Sequence, residues 1–165
     1  MYLDEHKKAL FLVGMDENIE QLLQQTTNIP SKNMFIINSY GPVISHPYGD
    51  IMRDIIIAIY EENIEDIFVV GSTSNRENTI NNEELLKKIN KVNNIQSLDY
   101  LFQHCMPEFH SNSLKYWLEG EKSVKEGIQK SVDIIRRHPL LPSHVKVHGY
   151  VMDKNKGELV EVGVS

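Results

Sequence analysis

The chain has 165 residues, a formal net charge of −6, seven His and one Cys. That length suits a single domain over residues 1–165, able to bury a core without the disulfides or structural metal that very short chains need. One Cys excludes an internal disulfide or an all-Cys zinc site, and the acidic balance argues against nucleic acid and anionic lipid as partners.

The first eight residues, MYLDEHKK, are charged and lack the apolar core of a signal peptide, so a cytoplasmic protein is expected. The most apolar stretch, residues 51–60, contains Arg53 and Asp54 and is too short to cross a bilayer, so no membrane insertion is expected.

Residues 8–13 (KALFLV) predict a strand that ends at Gly14. Asn18 followed by Gln21 has the form of a capping box for a helix over 19–25. A second strand is predicted over 34–37 (MFII). Asp50 stands where it would cap a buried helix over 51–62. A third strand covers 66–71 (DIFVVG). These strands hardly alternate, which is the pattern of a parallel sheet covered on both faces. Ser74 with Glu77 forms another capping-box pattern, ahead of a helix over 82–92.

In the second half, residues 98–105 form a short apolar piece. Residues 113–138 form a long amphipathic pattern that should break near Gly120 or Gly127 and is closed by Pro139 and Pro142. Residues 145–152 (VKVHGYVM) alternate as a strand, 153–157 turn, and 158–162 complete a hairpin. The expected fold is α/β, a short mainly parallel sheet flanked by helices with C-terminal hairpin strands.

Ligands of open parallel sheets bind beyond the carboxyl ends of the strands. Those ends here are Gly14-Met15-Asp16-Glu17-Asn18, Asn38-Ser39-Tyr40-Gly41-Pro42 and Ser72-Thr73-Ser74-Asn75-Arg76. Neighbouring strands would bring all three into one cleft.

Taken together, these loops and the C-terminal segments 131–142 (SVDIIRRHPLLP) and 145–151 (VKVHGYV) resemble the β-class carbonic anhydrases of the small prokaryotic type. The hairpin 157–162 (GELVEV) and the helix start Asp50-Ile51-Met52-Arg53 resemble that family too, and the likeness runs from about residue 8 to 162. The resemblance implies a β-carbonic-anhydrase-like fold and a homodimer, in a family whose activity is carbon dioxide hydration. It also sets three zinc motifs on the three strand ends. The family's Cys-x-Asp-x-Arg corresponds to Gly14, Asp16 and Asn18. Its Arg-Asn-Ala-Gly corresponds to Asn38 through Gly41, with only the glycine kept. Its His-x-x-Cys corresponds to Ser72 through Asn75.

All three implied zinc ligands are therefore replaced, by Gly14, Ser72 and Asn75. Zinc needs thiolate, imidazole or carboxylate, and neutral hydroxyls and amides are poor substitutes. No cofactor is expected on this reading. The implied protein is a non-catalytic binding or interaction module tied to bicarbonate or carbon dioxide handling, with a small anion such as bicarbonate as ligand, or a structural subunit. The alternative is an active metalloenzyme, a carbonate dehydratase or other lyase or hydrolase, with zinc relocated to His104, Cys105 and His110, whose spacing fits no standard site.

Single residues keep two readings. Asp16 is either the carboxylate retained from the family motif or a capping carboxylate near a helix start. Ser72 and Asn75 line a polar pocket or serve a turn. Gly41 contacts a ligand or permits a tight turn. Cys105 ligates a metal or fills apolar space. His138 and His148, away from the strand ends, are expected to be structural.

Overall fold

The computed structural model describes residues 6–15, 18–41, 43–73, 82–91, 118 and 123–163. Backbone contacts divide the chain into two compact units, Met1–Asn75 with Ser123–Ser165, and Arg76–Lys122.

The first unit carries a five-stranded sheet. Its strands are β1 (Ala9–Gly14), β2 (Met34–Ser39), β3 (Asp66–Thr73), β4 (Lys146–Asp153) and β5 (Glu158–Glu161). Their order across the sheet is β2-β1-β3-β4-β5. The first four are parallel, and β5 runs antiparallel to β4. The helices are α1 (Ile19–Thr27), α2 (Asp50–Glu62) and, numbered after α3 (Asn82–Asn90) of the other unit, α4 (Val124–Arg136). The α/β class, the mainly parallel sheet and the closing hairpin are as the sequence predicts.

β1 lies inside the sheet between β2 and β3, and residues 9–13 are all buried because both faces are covered. Side chains alternate across the sheet. Leu10, Leu12, Ile67, Val69 and Val147 meet Met52, Ile55 and Ile59 of α2 and Ile128, Val132 and Ile135 of α4 in one core. Phe11, Val13, Phe68, Val70 and Met152 join Ile19 and Leu23 of α1 in a second. Register places Phe11, Phe68 and His148 side by side on three strands. Their rings stack at centroid distances of 4.9 and 5.0 Å.

The helix ends differ in detail from the sequence patterns. Asn18 does occupy the N-cap of α1, but its side chain makes no capping bond. Gly49, not Asp50, is the N-cap of α2, and Arg53 N donates to Gly49 O at 3.0 Å. Asp50 instead sits in the first turn, where a carboxylate favours the helix dipole. Within the pattern 113–138, Leu118 lies in helix and Val124–Arg136 forms α4, opened by the Ser123 hydroxyl accepting from Glu126 N at 3.2 Å. It does not break at Gly127. That residue is buried, and a Cβ built on it would meet Val43 Cγ2 at an ordinary contact of 3.5 Å.

Tyr150 of β4 is buried opposite Glu161 of β5. Burial first, then the charges of Glu161 and Asp66, raise its phenol above the usual 10.0. The folded chain thus holds this proton more tightly than the unfolded chain does. Stability from this group is fully present below pH 10 and falls as pH rises through 10. An alkaline absorbance titration should show a tyrosine component that ionises above the usual 10.0. Tyr150→Phe should remove that late component.

In the second unit, α3 (Asn82–Asn90) carries a Glu84–Lys88 ion pair of 3.2 Å at i,i+4 spacing. The Ser74–Glu77 pattern and the apolar piece 98–105 lie outside the described residues.

Candidate functional site

Because β1 sits between β2 and β3, the three strand ends meet. Gly14 pairs with Ser39, and the Val13–Val70 pair leaves Gly71 as the next residue of β3. Alternation puts Gly14, Ser39 and Gly71 on the face covered by α2 and α4. Ser72 lies one step further and points by alternation to the other face. A ligand shared by positions 14 and 72 would therefore sit on the lip of the sheet, beyond the strand ends.

The loop after β2 is tightly held. Met15 N donates to Ser39 O at 3.0 Å, and the Ser39 hydroxyl donates to Gly41 O. Gly41 has a φ of +76°, a backbone angle that favours glycine. This supports the tight-turn reading of that residue. Val43 N then donates to Gly41 O at 2.9 Å, and Ile44 N to the buried Ser131 hydroxyl at 2.9 Å. Ser131 thus pins the loop to α4. The signal for it in the sequence was a polar residue on the apolar stripe of Ile128, Val132 and Ile135.

Of the residues named from the sequence, Gly14, Asn38, Gly41 and Ser72 lie along or just after the converging strands. Asn18 lies exposed at the start of α1, and Asn38 is exposed on β2. Met15 and Tyr40, one step past Gly14 and Ser39, are 52% and 77% exposed and give the rim an apolar character. Asp16, Asn75, His104, Cys105 and His110 lie outside the described residues.

Among the described residues of these strand ends, the donor set does not fit zinc. Gly14 offers no side chain, Asn38 an amide, and Ser39 and Ser72 neutral hydroxyls. Among the described residues no group of three or more His, Cys, Asp or Glu could hold a metal ion. Three histidines are engaged elsewhere. His148 Nε2 lies 3.2 Å from Asp66 Oδ1. His138 Nδ1 accepts from Leu140 N at 3.2 Å, and His46 Nδ1 from Tyr48 N at 3.0 Å. The structural reading of His138 and His148 agrees with these bonds. Among the described residues no helix is long and apolar enough to cross a membrane.

No family model matches the chain. The carbonic anhydrase-like protein YbcF of Bacillus subtilis (strain 168) is 45% identical over 158 residues, covering 96% of this chain and 88% of YbcF. A carbon disulfide hydrolase of Acidianus sp. (strain A1-3) is 24% identical over 160 residues, covering 92% of this chain and 75% of that protein. In fold, the chain is similar to β-carbonic anhydrase isoform I of Trichomonas vaginalis. The TM-score is 0.72 at 17% identity, over 97% of this chain and 85% of that one.

Proposed function

The chain belongs to the β-class carbonic anhydrase family, and from that premise we propose that it is a member with a degenerate, zinc-free site. It acts as a binding or interaction module in bicarbonate or carbon dioxide handling, as a homodimer. The observation that carries this reading is Gly14: β1 ends without a side-chain donor where the family resemblance implies a thiolate. Ser72 adds only a neutral hydroxyl. Zinc acidifies bound water from a pKa of 15.7 to about 7, and without it the hydroxide that attacks carbon dioxide is not formed at neutral pH. A small anion such as bicarbonate is the proposed ligand.

The test is metal analysis of the untagged protein together with a carbon dioxide hydration assay. Substoichiometric zinc and no rate above buffer are expected. One zinc per chain with hydration activity would overturn the reading.

A further inference from the structure

Two His-Pro turns meet at Tyr48. In His46-Pro47-Tyr48, His46 Nδ1 accepts from Tyr48 N at 3.0 Å. In His138-Pro139-Leu140, His138 Nδ1 accepts from Leu140 N at 3.2 Å. A ring that accepts at Nδ1 carries its proton on Nε2, so both imidazoles present an Nε2–H donor on the edge away from their own turn. The Tyr48 ring stands next to both, 6.1 Å from the His46 ring and 5.3 Å from the His138 ring, centroid to centroid. His138 is only 6% exposed, yet among the described residues no acceptor meets its Nε2–H. Buried donors are almost always satisfied, so this one calls for an acceptor from outside the chain.

The surroundings narrow the ligand. Tyr48, Tyr60 and Leu140 are exposed, and Tyr60 Oη donates to Leu140 O at 2.9 Å, which fixes the Tyr60 ring beside the second turn. Arg137, the C-cap of α4 and the residue before His138, is exposed and adds one positive charge. Two neutral donors and one cation suit a single negative charge, and the rings suit an apolar body. The place is remote from the strand-end cleft. α4 has 13 residues and spans about 20 Å. It starts at Val124, over Gly71 toward the end of β3, and its last residue, Arg136, donates to Val147 O near the start of β4. His138 lies just past that far end. We propose that the two turns form a second binding site, for a small carboxylate with an apolar body. The Nε2–H groups of His46 and His138 donate to the carboxylate oxygens, and Tyr48, Tyr60 and Leu140 cover the body.

Benzoate is the probe. Nitrogen-15 spectra of the wild-type chain should show saturable, one-to-one shifts of the His46 and His138 imidazoles, while the amides of Ser39 and Gly41 at the strand ends do not move. His46→Ala, at a half-buried ring, should weaken benzoate binding about 10-fold or more, the usual size for one hydrogen bond to a charged group. Benzamide, which keeps the ring without the charge, and acetate, which keeps the charge without the ring, should both bind more weakly than benzoate. His138→Gln should abolish binding; should it not fold, His46→Ala and benzamide decide. No saturable shift at millimolar benzoate, unchanged affinity in His46→Ala, benzamide as tight as benzoate, or shifts confined to the strand-end amides would overturn the site. Acetate as tight as benzoate would overturn the apolar body.

Discussion

The variant Gly14→Cys/Ser72→His/Asn75→Cys should take up one zinc per chain under conditions in which the wild-type chain takes up none. Position 14 can accept the thiol. Its φ lies outside the left-handed region, and a Cβ built there meets no heavy atom within 4 Å. Two thiolates and an imidazole would make a donor set of the kind zinc prefers. Free zinc at about 100 times its Kd would stabilise the variant by about 2.7 kcal/mol. For a chain of this size that is a Tm rise of roughly 5–10 °C. Calorimetry with and without zinc, beside metal analysis, checks it. A well-folded variant that ignores zinc would break the correspondence between these loops and the family's zinc motifs. The proposed lack of zinc in the wild-type chain is tested separately.

Gly149→Ala should lower stability by about 1–3 kcal/mol, the usual range for overpacking a filled core. A Cβ on Gly149 would lie 2.7 Å from Ile128 Cγ2 and 3.3 Å from Val132 Cγ2. Both neighbours are fully buried on α4 and β-branched, so neither can turn aside at χ1. Thermal denaturation should show a Tm drop of roughly 2–12 °C. Ile128→Ala removes the clashing methyl, so the double variant should lose less than the sum of the two single losses. Gly14→Ala is the contrast, with open space and an ordinary φ. It should be neutral or gain up to about 1 kcal/mol through the unfolded chain. A Gly149→Ala protein as stable as wild type would show that α4 shifts away from β4 freely.

Much of the fold is legible along the chain. Each predicted strand start falls within one residue of the observed one: 8 against Ala9, 34 against Met34, 66 against Asp66, 145 against Lys146 and 158 against Glu158. The ends are less legible. β2 and β3 each run two residues further, to Ser39 and Thr73. Those residues are polar, and what keeps them in the sheet is pairing, Gly14 with Ser39 and Thr73 with Asp153. Capping was misread at Asp50 for a related reason. Gly49 and Asp50 both suit a helix start, and only the first helical bond, from Arg53 N to Gly49 O, separates them.

The sequence by itself determined the element types and the single Cys, and the resemblance implies that Gly14, Ser72 and Asn75 stand at the family's thiolate and imidazole positions. Periodicity and residue chemistry are local, so they can be read without knowing what lies across the sheet. Tertiary structure decided the rest. It placed β1 between β2 and β3, so that strand ends far apart in sequence converge. It engaged His148 with Asp66 across 82 residues and held Ile44 to Ser131 across 87. It also separated two glycines that look alike in sequence, one packed against α4 and one facing open space. Register and helix packing arise from contacts between distant segments, and no local pattern encodes which segments those will be.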